Sequence, residues 1–253
     1  VAALEPGAVC DIAFPADEGA NLPDPAGLES YDGVFLTGSA LHAYEGGPAV
    51  MRQVDLARAA YASGTPLFGS CWGIQIGALA AGGRVARNPA GNEVGFARRI
   101  TATTAGAAHP LLSGRPAAWD APAVHLDIVS ELPGDVTVLA SNALTPVQAA
   151  EIRHAGGVMW GVQYHPEFSL REVASIMGRR GAALIEQGFF RDGDDHRRYV
   201  AALQALHDEP DRCDLAWQIG LDAEVLDSER RLTEIRNFIT HLAKPMRSQR
   251  GRA

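Results

Sequence analysis

Residues 65–83, TPLFGSCWGIQIGALAAGG, constrain the fold more than any other stretch of the chain. Leu67 and Phe68 end a short apolar run. The small residues Gly69, Ser70, Cys71 and Gly73 follow, and from Trp72 the pattern is a small-residue helix closed by Gly82 and Gly83. A strand that turns directly into a helix leaves that helix packed on its own sheet. The preceding segments repeat the alternation. YDGVFLTGS (31–39) reads as a buried strand stopping at a small-residue turn, and residues 48–62 carry Val50, Val54, Leu56 and Tyr61 at helical spacing before the stop signal Gly64. Strand–helix–strand–helix order implies parallel strands covered on both faces.

After Gly83 the texture changes. NEVGFARRITATT, APAVHLDIV, DVTVLAS, PVQAAEIRH and GVMWGVQYH are successive β-like segments separated by Gly, Pro and Asn, which predicts antiparallel additions to the main sheet. From Ser169 the pattern is helical over 169–187, 194–207 and roughly 222–242, with Ser169 and Asp194 as N-caps. Residues 247–253 read as a disordered end. VCDIAF (9–14), stopped by Pro15, reads as a strand, and the opening VAALEPG resembles the tail of a helix. The expected fold is a three-layer α/β/α, doubly wound, flavodoxin-like mixed sheet, with the strand preceding that helix tail expected upstream of Val1. Its domain spans 1–190, with a helical C-terminal extension over 191–253.

The turn itself is a chemical feature. A nucleophile between strand and helix projects from the carboxyl end of the sheet, where open α/β folds bind ligands. Gly69 and Gly73 flank Cys71 at two residues on either side, the elbow spacing with Cys in the nucleophile position. A helix N-terminus favours the thiolate, the reactive form, and the N–H of Trp72 can donate to a developing oxyanion. A free cysteine is equally at home as a small core residue. A second motif bears on the choice: GVMWGVQYHPEFS (157–169) delivers His165 at a strand end, and Pro166 biases it toward extended backbone. Residues i and i+2 of an extended segment share a face, so Glu167 can accept the imidazole N–H and hold its tautomer.

Together FGSCWGIQ and GVQYHPE resemble the class I glutamine amidotransferases, and within them the amidotransferase part of GMP synthases, on HLDIVSELP, VTVLASN and PVQA. The resemblance spans most of 31–168. It implies a Cys71–His165–Glu167 triad that hydrolyses the glutamine side-chain amide through a thioester and releases ammonia. It also nominates the backbone N–H of Gly38, in VFLTGS, as a second oxyanion donor and Gln75 as a substrate contact. VHLD (124–127) resembles the segment whose backbone grips the substrate, here Leu126 and Asp127, although family members more often carry Gly or Ser where Leu126 stands. NEVGFA resembles a structural strand of the family.

The resemblance implies no cofactor. The histidines and cysteines show no metal-ligand spacing, and the three cysteines, odd in number, fit a reducing cytoplasm. A formal net charge of −8 gives no support for nucleic-acid or membrane-surface binding, and no apolar run spans a bilayer. Residues 169–253 contain no phosphate-binding loop, so a synthetase, if one accepts the ammonia, is a separate partner. Val200, Leu203, Leu206, Leu226, Leu232, Ile235 and Ile239 are read as packing back on the domain, with docking of another copy or of an ammonia acceptor as the alternative. Two other readings stay open: hydrolysis of another γ-glutamyl amide by the same triad, and a non-catalytic regulatory module on this scaffold.

Overall fold

The computed structural model describes residues 1–251. Its strands are β1 (Val34–Leu36), β2 (Leu67–Ser70), β3 (Arg84–Arg87), β4 (Glu93–Ala102), β5 (Ala118–His125), β6 (Asp127–Glu131), β7 (Val136–Ser141), β8 (Ala149–His154) and β9 (Gly157–Val162). Seven of them form one sheet in the order β1-β2-β9-β8-β7-β4-β5, and β3 and β6 form a separate antiparallel ribbon. β1, β2 and β9 run parallel, while β8, β7, β4 and β5 are added antiparallel. The antiparallel additions expected after Gly83 are found in β8, β7, β4 and β5, but GVMWGVQYH (β9) runs parallel to β2 at the centre of the sheet, and β6, from APAVHLDIV, pairs with β3 outside it.

The two faces of the parallel part separate by residue parity, as strand geometry requires. Leu67 and Met159, with Val34 and Leu36, face the helices Pro48–Ser63 and Trp72–Ala80 through a core that includes Tyr61, Ile74 and Ile76. On the other face Phe35, Phe68 and Trp160 stand in one cross-strand row. Phe238, fully buried, lies against all three. Burial of such a side chain contributes about 1.5–3 kcal/mol. The segment that carries it, Thr233–Phe238 continued by the π-helical turn Ile239–Ala243, is therefore part of the second helical layer. Its buried Glu234 meets Arg115 in a two-pronged ion pair, Nε–Oε1 and Nη2–Oε2 both 2.7 Å, and Arg115 also donates to Glu224 Oε2 at 2.8 Å. Removing one member of such a buried pair costs about 3–5 kcal/mol because the other charge is stranded. A third core joins Phe96 to Val173, Met177, Leu203, Leu206 and Val225.

Several local expectations change. Residues 9–14 are not a strand: Val9, Ile12 and Phe14 are exposed, and among the described residues no neighbouring strand completes a ladder for them. APAVHLDIV is two strands, because Leu126 breaks the run between β5 and β6. The helix expected over 169–187 divides into Leu170–Arg179 and Gly181–Glu186, with His196 pressed where a Cβ on Gly181 would stand. Ser169 caps the first of these with a full capping box, and the later helix is capped by Asp192, two residues before the expected Asp194. The 222–242 segment is a series of short helical pieces. Residues 247–251 of the expected disordered end are described as the end of Lys244–Gln249 and the turn after it, and only 252 and 253 lie outside the described residues. The turn is tied down by Arg250, which donates to the carbonyls of Glu29, Tyr31 and Ser63 and to Thr65 Oγ1. Among the described residues no helix is long and apolar enough to cross a membrane.

Hydrogen bonds to a charged group contribute about 1.5–3 kcal/mol net each, and less where water can replace the partner. Arg250→Ala is therefore expected to lower the unfolding free energy in urea by roughly 2 kcal/mol while leaving the region around Cys71 untouched.

Candidate active site

Three parallel strands end side by side, and each delivers one component. β2 runs into Cys71, which takes φ 51° and ψ −104°. This is a strained backbone for a non-glycine residue. Its N–H donates to the Val162 carbonyl at the end of β9, 2.8 Å away, which fixes the turn to the neighbouring strand. Trp72 is the first helical residue, so its N–H has no intrahelical partner. The flanking glycines are required by contact: a Cβ on Gly69 would lie 2.5 Å from the Gly73 backbone and the Met159 methyl, and one on Gly73 would strike the Leu36 carbonyl. The spacing read from the sequence is thus the condition for the helix to sit on the strands.

β9 leads through Gln163 and Tyr164 to His165, whose N–H donates to the Pro122 carbonyl at 2.7 Å. His165 Nδ1 lies 2.7 Å from Glu167 Oε1. A carboxylate only accepts, so Nδ1 carries the proton and Nε2 is left for chemistry. The contact between residues i and i+2 expected from the sequence is thus the geometry found. Burial disfavours a charged imidazole, but the Cys71 thiol and the Glu167 carboxylate outweigh it and raise the His165 pKa to about 10. β1 leads to Gly38, where a Cβ would come within 2.9 Å of His165 Cε1. The structure therefore brings Cys71, Trp72, Gly38, His165 and Glu167 into one site.

The candidate substrate contacts sit beside it. The Cys71 thiol points at the Val124 carbonyl, 3.8 Å away, in the VHLD segment. Gln75 is buried, and its Nε2 donates to the Asp127 carbonyl at 2.9 Å and to Gln163 Oε1 at 3.2 Å. It braces the segment from below. The Leu126 carbonyl accepts from Asn88 N–H at 2.8 Å, so the carbonyls of Leu126 and Asp127 are both engaged within the protein. Asp127 also bonds His42 through Oδ2 at 2.6 Å, and its Oδ1 is buried without a protein partner. His42 therefore ties the loop after Gly38 to the VHLD segment.

Other residues were missed. Ser70 Oγ donates to Glu167 Oε1 at 2.9 Å, and the Phe168 ring stacks on His165 with centroids 3.9 Å apart and planes 2° from parallel. Both are sequence neighbours of motif residues, which is the only signal they offer. Glu93, read as part of a structural strand, accepts from His125 Nε2, Asn142, Thr145 and Gln148 in the interior. Burial pushes its carboxyl up, yet the hydrogen bonds from His125, Asn142 and Gln148 hold it below the usual range. It anchors the ring that precedes Leu126 and Asp127. Among the described residues no group of three or more His, Cys, Asp or Glu could hold a metal ion.

The open α/β sheet thus presents a cysteine elbow and a histidine–carboxylate pair together at its carboxyl end. The family model for "Glutamine amidotransferase class-I" matches residues 9–182, more than half of the chain, and the protein belongs to that family. A gamma-glutamyl-L-1-hydroxyisopropylamide hydrolase from a Pseudomonas species is 36% identical over 240 residues, covering 93% of this chain and 80% of the relative. A GMP synthase from Symbiobacterium thermophilum is 34% identical over 180 residues, covering 64% of this chain but only 33% of its own length. A glutamine amidotransferase from Thermotoga maritima shares the fold at TM-score 0.59 and 20% identity, over 90% of this chain and 84% of that one.

The His165 environment predicts a pH profile. With its pKa raised to about 10, His165 stays protonated through neutral pH, and any turnover that uses its proton should fall as pH rises through that value. Glu167→Gln removes one of the raising influences while burial stays. The alkaline limb should then move to lower pH, and kcat should drop by roughly 10- to 100-fold, as read from rate–pH curves of the two proteins.

Proposed function

We propose that this protein hydrolyses γ-glutamyl amides through a thioester on Cys71. Cys71 Sγ attacks the γ-carbonyl carbon, forming a C–S bond while the carbonyl electrons move onto oxygen. The N–H groups of Trp72 and Gly38 face that developing charge. Collapse breaks the C–N bond, and His165 gives its proton to the departing nitrogen. Water then loses a proton to His165 and attacks the thioester, the C–S bond breaks, and glutamate leaves with the thiolate–imidazolium pair restored. Glu167, braced by Ser70, holds the imidazole through both half-reactions. Gln75, Leu126 and Asp127 are assigned to the glutamyl end of the substrate, with Gln75 acting by holding the Asp127 segment in place.

The observation that carries this reading is the extent of the likeness to the γ-glutamyl hydroxyisopropylamide hydrolase, which runs through nearly the whole chain. It supports a substituted γ-glutamyl amide as substrate, with the amine released to solvent. The second reading, glutamine hydrolysis with ammonia passed to a separate synthetase, is supported by the partial likeness to a GMP synthase.

A panel of glutamine and γ-glutamyl derivatives of small alkyl- and hydroxyalkylamines separates the two. The substituted amides should show kcat/KM at least about tenfold above glutamine, a difference of about 1.4 kcal/mol in transition-state stabilisation, and Cys71→Ala should abolish both activities. Rapid ammonia release from glutamine alone, with no cleavage of the substituted amides, would favour the synthetase-linked reading.

A further inference from the structure

Glu234 and Phe238 lie beyond residues 9–182, which the family model matches, yet both reach back to the strands that carry the site. Tyr164 directly precedes His165, and its side chain points to the opposite face of the sheet, fully buried, with its ring edge-on to Trp119. Its hydroxyl donates to Glu234 Oε1 at 2.8 Å. Burial, followed by the neighbouring Glu234 charge, raises the phenol well above its ordinary range, so the hydroxyl is a fixed donor. Glu234 is itself immobilised by both prongs of Arg115, whose side chain is 1% exposed, and Arg115 is held in turn by Glu224 and the Arg231 carbonyl. One turn further on, Phe238 rests on the Phe35–Phe68–Trp160 row. These three residues belong to the strands that lead to Gly38, Cys71 and His165 respectively.

β9 ends at Val162, so residues 163–165 leave the regular ladder just before the imidazole. Gln163 N–H is held by the Gln148 carbonyl at 2.8 Å and His165 N–H by the Pro122 carbonyl at 2.7 Å. The Tyr164 hydroxyl is the side-chain anchor of this segment on the face away from the site. Rotation of the segment about its axis would swing Tyr164 and His165 in opposite directions, so pinning one pins the other.

We propose that Glu234, acting through Tyr164, is a positioning residue for His165, and that the C-terminal helical segment thereby sets the geometry between His165 and Cys71. The consequence for turnover rests on the reaction assigned to Cys71 above. The positioning itself can be read without any substrate, because a nearby imidazolium stabilises the thiolate and so governs how fast Cys71 is alkylated.

The test compares wild type, Tyr164→Phe, Glu234→Gln and, as a destabilised control remote from the site, Arg250→Ala. Each is followed by thermal melting, by the pH dependence of Cys71 alkylation by iodoacetamide, and by kcat and KM for a γ-glutamyl amide. Tyr164→Phe keeps the ring and so keeps the fold; it decides the matter if Glu234→Gln fails to fold. The expected result is alkylation near neutral pH slowed about tenfold in Tyr164→Phe, the size of effect that loss of one hydrogen bond to a charged group produces. kcat should fall in parallel with KM nearly unchanged, and Arg250→Ala should match wild type in both. Wild-type alkylation and kcat in folded Tyr164→Phe would overturn the proposal, as would an equal loss in Arg250→Ala. A wild-type protein that is alkylated at Cys71 yet cleaves no γ-glutamyl amide would sink the assigned reaction, and the alkylation comparison would still decide the positioning role.

Discussion

Everything at this site depends on holding one cysteine where an L-residue does not settle by itself. The backbone of Cys71, at φ 51° and ψ −104°, costs on the order of 1–3 kcal/mol relative to relaxed geometry. It persists because its surroundings leave no alternative. The Val162 carbonyl takes its N–H, the helix from Trp72 starts immediately after it, and Gly69 and Gly73 let that helix lie directly on β1 and β2. The strain places the thiol at the carboxyl end of the parallel strands and brings the free N–H of the first helical turn beside it. Positioning of His165 and Gly38 then follows from the parallel pairing of β9 and β1 with β2.

The electrostatic arrangement has the same layered character. Glu167 Oε1 accepts from both His165 and Ser70, while Phe168 covers the imidazole face. The ring is thus fixed in tautomer, tilt and plane by residues within a few positions of the two motifs. Residues further out hold the neighbouring VHLD segment. Glu93 and His125 hold the VHLD segment from the interior, Gln75 holds it from the nucleophile's helix, and His42 reaches it from the loop after Gly38. Asp127 leaves one carboxylate oxygen buried and without a protein partner within this frame.

What could be read from the sequence was what is local. The G-x-C-x-G elbow and the H-P-E step each encode their geometry within three to five residues, so backbone sterics alone specify them. The antiparallel half of the sheet was legible from its turn residues and apolar runs. Residues 9–14 were misread because an apolar run does not say whether a partner strand stands beside it. The Arg115–Glu234–Tyr164 chain was invisible for the opposite reason: its members lie 119 and 70 residues apart and carry no pattern. His42 and Asp127, 85 residues apart, pair only because one loop crosses to another. Likewise Phe238 looks like any apolar helical position until the Phe35–Phe68–Trp160 row is seen beneath it.

In the proposed reaction Cys71 forms a covalent γ-glutamyl intermediate while His165 and Glu167 manage the proton. Rapid acid quenching of the protein during turnover of a γ-glutamyl amide, followed by peptide mass spectrometry, tests it directly. The expected result is a mass gain of one γ-glutamyl group confined to the peptide bearing Cys71. Turnover with no adduct on that peptide, or with the adduct on Cys10 or Cys213, would contradict it.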